Sequence, residues 1–105
     1  MGLFDMLRGR RRAGGDRRHD TGSSAYLMAW GRRRRGVEAF CEPRTTVTDT
    51  TVVLVAHDGE WTRRRMSHAG ARELGRRLRI PVYDVGLVGY PRRMREYTSR
   101  LAKGA

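Results

Sequence analysis

The sequence predicts an α+β domain: a small, mostly antiparallel sheet, built from a hairpin and a crossover strand, that carries two helices and is preceded by a flexible basic N-terminal arm. Three observations predict it. Thr51–Ala56 is a continuous β-branched run of the kind that suits a strand buried on both faces. Asp58-Gly59 follows between two strand patterns, the strongest short-range hairpin signal. Ser67 then caps a segment in which Ala71, Leu74 and Leu78 recur at helical spacing.

Residues 1–36 hold ten arginines, three aspartates and seven of the thirteen glycines, for a formal charge of +7. Their two apolar islands, Leu3–Leu7 and Ala25–Trp30, each run into an arginine cluster. Such a stretch buries too little apolar surface to offset its ordering entropy, so it reads as a mobile arm with one or two nascent helical turns. Residues 37–105 read as the folded domain. A first strand fits Gly36–Glu42, ended by Pro43. After Thr51–Ala56, a two-residue turn at Asp58-Gly59 pairs Ala56 with Trp61 and Leu54 with Arg63. Alternation then puts Trp61, Arg63 and Arg65 on one face of a return strand over 61–66. Three arginines in six residues suit an edge strand, where charge blocks pairing with other chains.

The helix expected at His68–Arg79 buries Ala71, Leu74 and Leu78, and pairs Glu73 with Arg77 on its surface. Gly75 suits close packing on the sheet, and Pro81 ends the helix. Val82–Val85 reads as a further strand and Gly86–Gly89 as a flexible apolar link. Tyr90-Pro91 opens a last helix with an apolar stripe of Met94, Tyr97 and Leu101, leaving Arg92, Arg93, Glu96 and Arg100 to solvent. Strand 61–66, helix 68–79 and strand 82–85 make a right-handed crossover, with strand 51–56 between the two strands and antiparallel to both, and one or both helices covering one face. A core of about 70 residues gives marginal stability.

Three stretches, Thr51–Arg65, Ile80–Val85 and Leu87–Arg95, together resemble a group of short, uncharacterised, arginine-rich actinobacterial proteins. The likeness covers residues 37–100. Some of those proteins carry the name oxidoreductase, and the resemblance brings no catalytic or binding residue with it.

Charge is the strongest functional feature. The chain carries 23 Lys+Arg against 11 Asp+Glu, a net +12, and every cation but Lys103 is an arginine. A GC-rich genome accounts for arginine over lysine as well as phosphate recognition does, but it leaves the overall excess unexplained. That excess creates a field that attracts nucleic acid or anionic lipid. The single cysteine, Cys41, supports neither an internal disulfide nor a cysteine-based zinc site, which fits a reducing cytoplasm. No stretch approaches the ~20 apolar residues of a membrane span, and Met1–Leu7 lacks the form of a signal peptide.

Motifs that would name a reaction are weak. Asp20-Thr21-Gly22-Ser23-Ser24 matches the loop of aspartic proteases but lies among arginines rather than between apolar strands. Cys41 with His57 or His68 is a conceivable nucleophile and base, against the simpler reading of a packed cysteine, a turn histidine and a helix-start histidine. The three histidines lack metal-ligand spacing. Gly86-x-x-Gly89 lacks the third glycine of a dinucleotide loop. No cofactor is expected.

The remaining signal is arginine runs beside aromatics: Trp30 before Arg32–Arg35, Trp61 with Arg63 and Arg65, and Tyr90 before Arg92-Arg93. Arginine for phosphate and aromatic rings for bases is the usual pairing in RNA and single-strand binders. The expected polyanion contacts are Arg10, Arg11, Arg12, Arg32, Arg33, Arg34, Arg35, Trp61, Arg63, Arg65, Arg92 and Arg93. The expected function is a non-catalytic nucleic-acid-binding accessory protein, with RNA or the ribosome favoured. The alternatives are a peripheral membrane or protein-interaction module using the basic amphipathic N-terminus, and a small enzyme.

Overall fold

A computed structural model describes residues 22–46 and 49–104. The chain is α+β, as expected, but its sheet is mixed, and among the described residues four helices accompany it. A helix whose described part covers residues 22–32 (α1) comes first. Then follow β1 (Glu38–Glu42), β2 (Thr51–Val55), β3 (Trp61–Arg65), α2 (His68–Leu78), β4 (Val82–Asp84), α3 (Val85–Val88) and α4 (Arg92–Gly104). The strand order is β3-β2-β1-β4. β2 is antiparallel to both of its neighbours, β1 and β3, whereas β4 runs parallel to β1. The expected pairing of strand 51–56 with strand 82–85 is therefore replaced. β1 occupies that place because it is apolar on both sides: Ala39 and Cys41 pack on one face and Phe40 on the other.

The arm is corrected from residue 22 onward. Leu27, Met28 and Trp30 of α1 are buried in the main core with Ala39, Val52, Leu54 and Leu74. Average composition hid an apolar stripe one helical face wide, and a tertiary partner offsets the ordering cost that the stripe alone does not. The core therefore begins before Gly36. The arginines at 8–12 and 17–18 lie outside the described residues.

The hairpin is one residue off the expected register. Val55 pairs with Trp61 and Val53 with Arg63. The Ala56 N–H bonds the Glu60 carbonyl at 2.8 Å, and the Gly59 N–H bonds the Ala56 carbonyl at 2.9 Å. His57, Asp58 and Gly59 thus form a three-residue loop, with Gly59 at φ 93° in the left-handed position such loops require. Asp58 is committed elsewhere: its side chain accepts from the Glu60 N–H at 3.0 Å.

Helices cover both faces of the sheet, not one. α1 and α2 pack over Val52, Leu54 and Ala56, while Met94 of α4 packs over Phe40, Val53 and Val55. Ser67 caps α2 as expected, its Oγ accepting from the Gly70 N–H at 3.0 Å. Ala71 and Leu74 are buried and Leu78 partly so. Full burial of a leucine such as Leu74 contributes about 2 kcal/mol. Glu73 pairs with Arg76, one residue short of the expected Arg77. The apolar link is instead the short helix α3. On α4 the expected stripe holds at Met94 and Tyr97 but fails at Leu101, which is 58% exposed.

Candidate polyanion interface

α1 and α2 end side by side. A Cβ at Gly31 would lie 2.8 Å from Leu78 Cδ1, so the absent side chain lets the two helices close on each other. Arg32, Arg33 and Arg35 follow directly from one helix end, and Arg77 and Arg79 flank Leu78 on the other. All five are exposed and have no carboxylate within ion-pair distance among the described residues. Arg79 takes the left-handed conformation that terminates α2, φ 56°, and its N–H returns to the Arg76 and Gly75 carbonyls. Helix C-termini favour cations, which lowers the mutual repulsion of this group.

Arg34 is withdrawn from that group. It grips the Glu60 carboxylate with two bonds of 2.8 Å, donates to the Trp30 carbonyl at 3.1 Å and lies 3.9 Å above the Trp30 ring. The bonds from Arg34 hold the Glu60 carboxyl below the usual carboxylate range. The contact ties the end of α1 to the hairpin, an attachment repeated by the His57 N–H bond to the Arg35 carbonyl at 2.9 Å.

A second basic region lies on the opposite face of the sheet, along edge strand β3. Trp61, Arg63 and Arg65 share this face, as alternation requires. Arg63 chelates Glu42 through Nε at 2.6 Å and Nη2 at 2.9 Å. Glu42 also accepts from Thr51 Oγ1 at 2.7 Å and from the Tyr90 hydroxyl. Burial alone would raise the Glu42 carboxyl, but these bonds outweigh it and leave it below its usual range. Burial and the adjacent carboxylate push the Tyr90 hydroxyl up. A carboxylate with four donors has no lone pair left to act as a base, so this centre fixes the Arg63 fork in place. A cavity of about 330 Å³ opens beside it, lined by Glu42, Pro43, Thr45, Thr51, Arg63 and Tyr90.

Arg93, expected in solvent, turns inward. Its guanidinium donates to the Ala56 carbonyl at 2.9 Å and the Val55 carbonyl at 3.3 Å, and pairs with Glu38 at 2.6 Å. Arg92 stays 87% exposed and pairs with Glu96 along the helix. Arg65 is exposed with no such partner among the described residues. The expected contacts therefore divide. Arg32, Arg33 and Arg35 stand together, Arg65 stands on the other face, and Arg34, Arg63 and Arg93 hold elements to one another. Arg10, Arg11 and Arg12 lie outside the described residues. Arg77 and Arg79 were missing from the expected contacts, because the two runs come together only through the tertiary packing of α1 on α2.

The aromatic rings are mostly engaged. Trp30 is buried beneath Arg34. Trp61 packs against Met94 and Val55, donates to Thr98 at 3.1 Å and carries Arg63 at 5.2 Å from its ring. Cys41 is buried on β1, where burial pushes its thiol up, while His57 sits in the hairpin loop beyond the far end of the sheet. Gly22, Ser23 and Ser24 of the Asp20–Ser24 motif begin the described part of α1, and its Asp20 and Thr21 lie outside the described residues. Among the described residues no cluster of three His, Cys, Asp or Glu gathers as for a metal, and no helix is long and apolar enough to cross a membrane. No family model, curated protein or solved structure matches the chain.

Proposed function

We propose that this chain is a small basic accessory protein that binds nucleic acid without catalysis, with RNA or the ribosome as its partner. The observation that supports the reading most is the group Arg32, Arg33, Arg35, Arg77 and Arg79, exposed at the joint of two helix ends and free of acidic partners among the described residues. Guanidinium groups so grouped and so exposed suit phosphate contact. Engagement of Trp30 and Trp61 within the fold favours backbone contact over base stacking at these two rings, hence binding with little sequence preference.

The test is fluorescence anisotropy with a labelled single-stranded RNA across salt concentrations. Affinity should fall steeply, each phosphate contact contributing ~0.7 to the log–log slope. Exchanging Arg32, Arg33, Arg77 and Arg79 for glutamine should lower that slope by about 3. Binding unchanged between roughly 50 and roughly 300 mM salt would remove the reading.

A further inference from the structure

We propose that the outer edge of β4 receives an extended acidic peptide segment as a fifth strand, with its carboxylates held by Arg72 and Arg76. The first support is the ladder. The Ala39 N–H bonds the Pro81 carbonyl at 3.0 Å, and Ala39 pairs with Val82 in parallel register. In a parallel ladder alternate residues of one strand face the partner. The Pro81 carbonyl and both backbone groups of Tyr83 therefore face β1. The N–H and C=O of Val82 and the N–H of Asp84 face outward. Among the described residues β4 is the terminal strand on this side, and an open edge with free donors and acceptors is a template for strand addition.

The second support is the groove above that edge. A cavity of about 550 Å³ is lined by Ala69, Arg72, Glu73, Gly75, Arg76, Ile80 and Val82. It lies where side chains of an added strand would project, on the face of the sheet that α2 covers. Its floor is Ile80 and Val82, its wall is α2, and Gly75 lets the helix sit low enough to form it: a Cβ there would lie 2.3 Å from Val82 Cγ2. Arg72 is exposed with no carboxylate at ion-pair distance among the described residues. Among the described residues Arg76 holds only an exposed pair with Glu73. Glutamate side chains fit this groove, with methylene stems on Ile80 and Val82 and carboxylates on the two arginines.

Charge selects among occupants. A second copy of this chain would bring the same arginines against the first, in a protein of net charge +12. An RNA strand has phosphates for Arg72 and Arg76 but no backbone ladder for Val82. The opposite edge, β3, presents Arg63, Arg64 and Arg65 and is tied to α1 by the Tyr26–Thr62 hydroxyl bond at 3.0 Å. The acidic strand alone satisfies both the ladder and the arginines.

The test is a titration of the isotope-labelled full chain with a nine-residue peptide of alternating glutamate and valine, followed by amide NMR spectra and hydrogen exchange. A control peptide carries proline at its centre and the same charge. The expected result is slowed exchange at the Val82 and Asp84 amides, with the control about tenfold weaker. Arg72→Glu should weaken the peptide by about tenfold; Arg72→Ser, a milder change at an exposed site, should weaken it in the same direction. Three results would overturn the proposal: equal binding of the proline control, peptide shifts confined to Arg32–Arg35 and α4, or the same β4 protection produced by concentrating the chain alone or by adding single-stranded RNA.

Discussion

Glu42 shows how a residue in an arginine-rich chain is put to structural use. Its carboxylate, 12% exposed, joins β1 to β3 through Arg63, to β2 through Thr51 and to the segment before α4 through Tyr90. Removing one partner of a fully buried ion pair costs ~3–5 kcal/mol. Arg63 remains 42% exposed, so solvent screens part of this and Glu42→Gln should cost about 2 kcal/mol at neutral pH. The pH dependence has a fixed sign. The folded-state carboxyl lies below its ordinary value of 4.5, so its stabilisation is complete above that value and is lost as pH falls through the folded one. Urea unfolding of the parent and Glu42→Gln should therefore differ most at neutral pH and converge in acid. Alternation made Arg63 readable as facing along Trp61 and Arg65. Its acid partner was not readable, because Glu42 is distant in sequence and the two meet only through two successive strand pairings.

Among the elements, α2 was the most legible, since its cap, buried stripe and terminating region all act within a dozen residues. Gly75 illustrates what local signals can and cannot fix. Its presence pointed to a close approach, and the approach is to Val82 of β4, with the Ile80 carbonyl 3.2 Å from where a Cβ would lie. An Ala in its place gains ~1 kcal/mol of helix propensity but drives Cβ into Val82. Gly75→Ala should therefore destabilise, by about 1–3 kcal/mol. The check is a double-mutant cycle by denaturant unfolding: Val82→Ala in that background should recover part of the loss, and additive effects would locate the strain elsewhere. β1 and α1 were less legible for a common reason. β1 was foreseen as a strand, but its central place depends on burial of both faces, which a five-residue run does not announce. α1 carries its apolar stripe inside a segment whose average composition reads as disordered. The hairpin loop missed by one residue because Asp-Gly serves a two-residue turn and, as here, the end of a three-residue loop with Gly59 in the left-handed position.

For the molecule as a whole, charge acts in two opposed ways. Six carboxylates pair with six arginines among the described residues, and Asp58 and Asp84 are spent on backbone N–H groups at the hairpin loop and at the start of α3. The remaining described cations face one another across a chain of net charge +12. Self-repulsion of that size opposes the compact state and is relieved by screening. Added salt also weakens the ion pairs, but exposed pairs such as Arg92–Glu96 contribute only ~0–1 kcal/mol each, so relief of repulsion dominates. Raising sodium chloride from roughly 50 to roughly 500 mM shortens the screening length about threefold. It should raise Tm by about 2–4 °C, since 1 kcal/mol corresponds to ~4–8 °C in a domain this small. Over the same range RNA affinity should fall, because released counterions then return a smaller entropy gain. Opposite signs in the two titrations, read by calorimetry and by anisotropy on the same preparation, are the signature of a surface whose cations burden the fold and attract the ligand. A Tm that falls with salt would mean that the six ion pairs outweigh the repulsion, and that arginine in this chain is chiefly structural.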